Sequence, residues 1–168
     1  MTRFKLDARW AIVAVGFVAL SLAFSGRSML SLAMAEWTTE FGWTKAAISS
    51  VMTVTLVAMA GLAPLVGYAI DRSGPRVILT AGLVLVGASS AVLAGMHSML
   101  AFIIGFALLG ALGFGLVANH AVSSAVARSF DVGQGRAIGI ATSGSTAGLF
   151  VLMPLLGLLL ASGGWRLG

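Results

Sequence analysis

Three polar side chains inside long apolar runs could bind or relay a small ion. Arg27 lies just past the centre of the first run, and Asn119 and His120 are adjacent in the fourth. A charge at the centre of a bilayer costs ~2.5–3.5 kcal/mol on insertion scales, so such residues usually face a bundle interior or a wet cavity. An arginine there could contact a substrate, and a histidine could pair with a substrate or relay a proton near neutral pH. We therefore predict a substrate-binding site that contains Arg27, Asn119 and His120.

Each of these residues also has a structural explanation. Arg27 shares a helical face with the small residue Gly16, but its long side chain could also reach the outer headgroups by snorkelling. Asn119 and His120 could instead bond to a neighbouring helix, a contact usually worth less than ~1 kcal/mol. The sequence leaves both explanations open.

A second polar cluster, GYAIDRSGPRVIL, begins at Gly67 and separates two apolar runs. Gly67 would allow close helix approach, and Gly74 lies in a Ser-Gly-Pro turn. Arg72 and Arg76 fit the excess of basic residues on cytoplasmic loops, whereas acidic residues contribute little to membrane topology. Asp71 therefore needs a partner, either one of these arginines or the N-terminus of a neighbouring helix, where the helix dipole favours an anion.

Enzyme chemistry has little support in this sequence. It contains two histidines, five acidic residues and no cysteine, with no His-Glu-x-x-His motif and no plausible nucleophile–base pair. The stretch GFGLVA fits a dinucleotide-binding pattern by letters alone, because that pattern needs a preceding strand and a βαβ unit. We predict no enzyme activity, no metal and no cofactor.

Composition indicates which elements carry these residues. Of the 168 residues, 59% are hydrophobic and 9% are charged. This hydrophobic content exceeds what the core of one water-soluble domain could bury. A helix needs ~20 apolar residues to cross ~30 Å of hydrocarbon, and it satisfies its own backbone hydrogen bonds in lipid. We predict an all-α polytopic transmembrane helix bundle. Its five spans are residues 10–35, 46–70, 77–96, 99–127 and 137–161.

The basic residues predict the orientation of this bundle. With a cytoplasmic N-terminus, seven Lys or Arg residues fall on the cytoplasmic side and two on the other, which is the positive-inside bias. The loops are short, so sequential helices pack as antiparallel neighbours and leave no room for a soluble catalytic domain. No basic face of a soluble helix indicates nucleic-acid binding. The prediction is a multi-pass protein of the inner or plasma membrane.

The loop that contains Asp71 resembles a family signature. GYAIDRSGPRVIL is similar to the segment between the second and third helices of the major facilitator superfamily, although Pro75 replaces the family's commoner basic residue. FGWTKAAIS at 41–49 and RAIGIATSGSTAG at 136–148 resemble the monocarboxylate and oxalate/formate carriers of that superfamily. By this resemblance, Asp71 and Arg76 would form a cytoplasmic latch that stabilises the outward-facing state. The signature positions are Gly67, Asp71, Arg72, Gly74 and Arg76.

The resemblance implies a partial transporter. Family members have twelve helices in two six-helix halves, with substrate bound between the halves. Residues 1–168 would then be a partial N-terminal bundle, with the sixth helix and the C-terminal half absent. The implied function is secondary active transport of a small organic anion such as a monocarboxylate, by alternating access. A coupling proton or a counter-anion would be a further partner.

Two other functions remain open. The chain could be a truncated, non-transporting membrane protein that associates with another chain through its Gly and Ala faces. It could also be a facilitator for another solute, such as an exported drug, although the fifth span only partly matches the glycine-proline signature of drug/proton antiporters. In each case the pairs Gly135/Gly139 and Gly144/Gly148 predict close contacts between helix backbones.

Overall fold

The computed structural model describes the backbone of residues 8–163 and the side chains of residues 9–158. Five spans in this part of the chain are long and apolar enough to cross a membrane. The predicted all-α membrane bundle is therefore confirmed. The elements are α1 (Ala8–Glu40), α2 (Lys45–Ser73), α3 (Pro75–Ala94), α4 (Met99–Phe102), a π-helix (Ile103–Gly110), α5 (Ala111–Leu116), α6 (Asn119–Ala127) and α7 (Gln134–Gly163).

Span four, residues 99–127, comprises α4, the π-helix, α5 and α6. We call the end of the bundle that contains the α2–α3 connection the inner end and the opposite end the outer end. α1, α3 and α7 run from the inner end to the outer end, and α2 and span four run in the other direction, as short connections between sequential spans require.

Local sequence signals define the ends of α2 and α3. Thr44 caps the start of α2, because its Oγ1 accepts a 3.2 Å hydrogen bond from the N–H of Ala47. Gly74 alone separates α2 from α3, and its φ of +81° favours glycine. Its N–H donates to the carbonyl of Ile70, and Pro75 occupies the first turn of α3. The predicted turn is therefore a single residue between two spans.

Span four is not one continuous α-helix. Eight of its residues, Ile103–Gly110, form a π-helix, a geometry that is rare and often found at functional sites. Farther along, α5 ends at Leu116, Val117 has non-helical dihedral angles, and Ala118 is extended before α6 begins. The hydropathy pattern predicted an uninterrupted span. The structure instead places a helix start inside the apolar segment.

α1 packs along α7 through small residues. A Cβ on Gly144 would overlap backbone atoms of Phe17, and one on Gly148 would overlap backbone atoms of Ser21. The Ser21 hydroxyl lies 2.8 Å from the carbonyl oxygens of both Phe17 and Gly144, so it can donate a hydrogen bond across the interface. The close contact predicted from the Gly144/Gly148 spacing is confirmed.

Other glycines predicted to permit close helix contacts lie in open positions. A Cβ on Gly67, Gly135 or Gly139 would meet no atom within 4 Å. The close approach predicted at these three positions is not met within residues 9–158, and it stays a prediction for the rest of the protein. Two small residues one turn apart give a helix a flat surface. A close contact forms there only where a neighbouring helix packs against that surface.

α3 packs against span four much as α1 packs against α7. A Cβ on Gly113 would lie 2.8 Å from the backbone nitrogen of Val86, which is tighter than any normal contact. The Ser89 hydroxyl donates a 2.7 Å hydrogen bond to the carbonyl of Gly105 in the π-helix. Both interfaces therefore combine close glycine contacts with a serine hydroxyl that donates to a backbone carbonyl of the facing helix.

Two apolar clusters fill the bundle, and the helix break lies between them. The outer cluster contains stacked and edge-on rings, including Trp37 and Phe102 with centroids 5.2 Å apart. The inner cluster is mainly aliphatic and includes Ile70 of α2 and Val122 of α6. Val117 belongs to the outer cluster and Val122 to the inner one. Packing on both sides therefore holds the break between α5 and α6 in place.

Candidate substrate site and inner-end charge cluster

Arg27 lies on the side of α1 that faces span four and α7. A Cβ on Gly16 would lie 2.6 Å from Val122 of α6 and 3.6 Å from Ala141 of α7. Arg27 follows Gly16 by about three helical turns, so the two residues project from the same side of α1. Arg27 is partly buried and makes no hydrogen bond or ion pair with another described residue. A guanidinium group is thus present in a membrane span without a protein partner in this part of the chain.

Asn119 and His120 form the first turn of α6. Ala118 is the N-cap and supplies no side-chain hydrogen bond to the first N–H groups of the helix. The side chains of Asn119 and His120 are exposed, and neither bonds to another described residue. A helix N-terminus carries a partial positive charge and free N–H donors, and in transporters such half-helix ends can face anionic groups of the substrate. The alternative that these side chains bond to a neighbouring helix is not met within residues 9–158.

The predicted site residues lie at two depths. Gly16 contacts Val122, so these two residues mark one level of the bundle. At 1.5 Å rise per residue, Arg27 lies roughly 16 Å outward from that level and His120 roughly 3 Å outward. The two groups are therefore separated by roughly 13 Å along the helix axes. The structure therefore does not bring Arg27 into contact with His120.

A charge cluster at the inner end joins three spans. Asp71 at the end of α2 forms an ion pair with Arg128, which follows α6. Arg9 of α1 lies 3.6 Å from Asp131 in the loop before α7. All four side chains are largely exposed, so each pair contributes roughly 0–1 kcal/mol. The pairs are weak contacts that water and other charged groups can replace.

The partner of Asp71 differs from the prediction. Arg72 and Arg76 were the expected arginines, but the structure pairs Asp71 with Arg128. Arg72 instead lies 3.4 Å from the hydroxyl of Tyr68, one turn earlier on α2. Arg76 lies beyond Gly74 at the start of α3 and forms no ion pair with a described residue. A latch between Asp71 and Arg76 is therefore not formed in this arrangement of the helices.

Sequence reasoning missed several residues that the structure shows to be important. Ser21 and Ser89 bond across helix interfaces, although their sequence neighbourhoods resemble other Ser and Ala positions in the spans. Ser25 is 2% exposed, and its hydroxyl has no hydrogen-bond partner among the described residues. For Arg128, a signal was available, because the predicted topology already placed it at the same end of the bundle as Asp71.

The family of the chain follows from a comparison with protein-family models. The model of the Major Facilitator Superfamily matches residues 16–168. The chain belongs to this superfamily. The matched region includes span four with its break and the residues Arg27, Asp71, Asn119 and His120. Membership of the superfamily, which the sequence predicted from the Asp71 loop, is confirmed.

Individual members of the superfamily are similar to this chain at low identity. The uncharacterized MFS-type transporter YcxA of Bacillus subtilis (strain 168) is 25% identical over 158 residues. Monocarboxylate transporter 11 is 27% identical over 157 residues in Mus musculus and 26% identical over 157 residues in Homo sapiens. The alignments cover 94% of this chain and 39%, 35% and 33% of these relatives, respectively. The chain therefore spans less than half the length of the curated relatives it matches.

Proposed function

We propose that this chain is the N-terminal part of a secondary transporter that moves a small organic anion, such as a monocarboxylate, by alternating access. The proposal rests on the position of Arg27 in a membrane span and on its lack of an ion-pair partner there. Its guanidinium group lies in a membrane span, is partly buried and has no ion-pair partner among the described residues. Intramembrane charges without structural partners are typical of substrate and ion pathways.

The start of α6 supports the choice of an anion. Its free N–H groups and the positive end of its dipole favour negative charge, and Asn119 adds an amide donor at the same place. An arginine can hold a carboxylate through two parallel hydrogen bonds. In this proposal Arg27 binds the carboxylate, and the substrate or a second anion contacts the α6 terminus when the anion moves inward.

The inner-end charge cluster is assigned a conformational role. The Asp71–Arg128 pair joins the ends of α2 and span four, and its exposure allows exchange for a partner in the rest of the protein. Such an exchange would bias the balance between the outward-facing and inward-facing states. Arg76, which is free of ion pairs with described residues, is the candidate for a second contact in the other state.

The proposed setting is the inner or plasma membrane, with the N-terminus in the cytoplasm. The support is the excess of Lys and Arg at the inner end, where two ion pairs leave Arg72, Arg76 and Arg136 without carboxylate partners among residues 9–158. Basic residues are retained on the cytoplasmic side during membrane insertion.

Uptake by the full-length protein in proteoliposomes tests the assignment of Arg27. Loss of a charge-assisted hydrogen bond costs ~1.5–3 kcal/mol, so we expect Arg27→Gln to raise the KM for a transported monocarboxylate by roughly 10–100-fold. Arg27→Lys should retain part of the affinity. Arg136→Gln, which removes an exposed arginine at the inner end, is the matched control. An unchanged KM and rate in Arg27→Gln would exclude Arg27 from the site, and transport of neutral solutes with no effect of carboxylates would exclude the anion class.

A further inference from the structure

Gly82 of α3 lies against the break in span four. A Cβ on Gly82 would lie 2.6 Å from Cγ2 of Val117 and 2.8 Å from Cβ of Leu116. Both distances are shorter than the contacts that Cβ atoms make in proteins, so the space beside Gly82 cannot hold even a methyl group. Leu116 is the last residue of α5, and Val117 has non-helical dihedral angles. α3 therefore presents bare backbone at the point where the first helical part of span four ends.

The face of α3 that contains Gly82 also contacts the π-helix. Gly82, Val86 and Ser89 are buried and recur every three or four positions, as on one side of a helix. Ser89 donates its hydroxyl hydrogen to the carbonyl of Gly105 in the π-helix. One face of α3 thus contacts both irregular parts of span four, the π-helix through Ser89 and the break through Gly82.

The groups that face Gly82 have little freedom to move aside. Val117 is 0% exposed and β-branched, and β-branched side chains are restricted at χ1. The Cβ of Leu116 is bonded directly to the backbone and moves only with it. The carbonyl oxygen of Gly113, 3.3 Å from a Cβ on Gly82, accepts a 3.1 Å hydrogen bond from the N–H of Val117. A methyl group on Gly82 would therefore push the backbone of residues 116–117 away from α3.

A displacement of the break would reach Asn119 within two residues. Ala118 is extended, and its carbonyl accepts the first hydrogen bonds of α6, from the N–H groups of Ala121 and Val122. The orientation of the Ala118 peptide group thus determines the direction in which α6 begins. Asn119 follows at once, with an exposed side chain. The start of α6 therefore lies where the contact between α3 and Val117 allows it to lie.

We propose that Gly82 is a positioning residue: its lack of a side chain seats the break in span four and so sets where the start of α6, with Asn119, lies in the bundle. Gly82 itself contacts no solute in this proposal. The alternative is a glycine that only lets α3 and span four pack closely, in which case its replacement would loosen the whole bundle. The consequence for anion binding rests on the proposed function, whereas the positioning of Asn119 does not.

Thiol labelling of the full-length protein tests the positioning. Residues 1–168 contain no cysteine, so any cysteines elsewhere in the protein are replaced by serine. The reaction rate of Asn119→Cys with N-ethylmaleimide then reports the surroundings of the start of α6. Gly82→Ala overfills the contact with the break, and Val117→Ala leaves it loose. We expect each variant to change the labelling rate at position 119 several-fold.

Controls distinguish a local displacement from general loosening. Ala81→Val adds volume at the neighbouring, exposed position of α3 and should leave the rate at position 119 unchanged. Ser143→Cys, exposed on α7, should react equally in all backgrounds. Combining Gly82→Ala with Val117→Ala relieves the closer clash and should bring the rate nearer to that of the parent than either change alone. Unchanged rates at position 119 in both single variants, or equal changes at position 143, would overturn the proposal. If Gly82→Ala does not fold, the same comparison in Val117→Ala decides.

Uptake measurements separate this inference from the proposed function. If the start of α6 contacts the anion, Gly82→Ala should raise the KM about as much as Asn119→Ala, roughly 2–10-fold. Because both changes act on one contact, their combination should raise the KM little further, whereas loss of folded protein alone would lower the maximal rate and leave the KM unchanged. A changed labelling rate with an unchanged KM would retain the positioning role and exclude the start of α6 from anion binding. An unchanged labelling rate would reject the positioning role whatever the KM.

Discussion

α1 and span four present positive electrostatic potential to the membrane interior in two different ways. α1 is a continuous helix of 33 residues that carries a full charge at Arg27. Span four has no charged residue between positions 99 and 127, but its break exposes the N-terminus of α6, worth roughly half a positive charge. A charged side chain can be added to an intact helix, whereas a span without charged residues has free backbone N–H groups in its interior only where its helix is interrupted.

The largest effect should come from separating α1 from α7. In Gly144→Val the new side chain would overlap the backbone of Phe17, which cannot move as a flexible side chain could. Overpacking usually costs ~1–3 kcal/mol and more where backbones clash, so we expect a melting temperature lowered by many degrees or loss of monodisperse protein. Gly139→Val on the same helix, where added atoms meet open space, is the control. Equal melting temperatures for the two variants would show that α1 is not held by this contact.

The contributions of Arg27 and of the start of α6 to the proposed anion binding can be compared by measuring KM values. Asn119→Ala removes a neutral donor worth ~0.5–1.5 kcal/mol but leaves the α6 backbone in place, so the KM for the transported anion should rise by roughly 2–10-fold. This is less than the effect expected for Arg27→Gln. Thr80→Ala, an exposed position on α3, serves as the control. A larger rise for Asn119→Ala than for Arg27→Gln would reverse the ranking and make span four the main binding element.

The interface between α3 and span four should respond to loss of a single hydroxyl. Ser89→Ala removes the hydrogen bond to the Gly105 carbonyl, and such bonds in membrane proteins average ~0.6 kcal/mol with a maximum near ~1.7. We expect a melting temperature lower by a few degrees. Ser50→Ala removes a hydroxyl that bonds only within its own helix and should have little effect. Indistinguishable melting temperatures for the two variants would show that the π-helix does not depend on Ser89.

The smallest effect on stability is expected at the inner end. Asp71→Asn should change the free energy of unfolding by less than ~1 kcal/mol, because the pair with Arg128 is exposed. If the pair controls the conformational balance, the maximal transport rate should change, and the apparent KM should shift with the fraction of protein in the state that binds substrate. Asp131→Asn breaks the other exposed pair and separates a specific role of Asp71 from general loss of charge. An unchanged maximal rate in Asp71→Asn, or equal changes in Asp71→Asn and Asp131→Asn, would exclude a specific conformational role of Asp71.

The sequence predicted the number and type of spans because hydropathy is a local property of ~20 consecutive residues. It did not predict the break at Val117 and Ala118, since neither residue is a glycine or a proline. It left the partner of Asp71 open between Arg72, Arg76 and a helix N-terminus, and it did not identify Arg128, which is 57 residues away and meets Asp71 only after span four has packed. Local patterns thus define the helices, and the contacts that position the candidate site depend on tertiary packing.

The single residue between α2 and α3 limits how the bundle can move. Ser73 and Pro75 are two Cα steps apart, so the inner ends of these spans stay within ~7.6 Å of each other in any conformation. The two helices can change their angle about Gly74, but neither can slide along the other by a helical turn. A rearrangement that displaces Asp71 must therefore carry the inner end of α3 with it. Because α2 and α3 stay joined at their inner ends, any displacement of one helix relative to the other is largest at their outer ends.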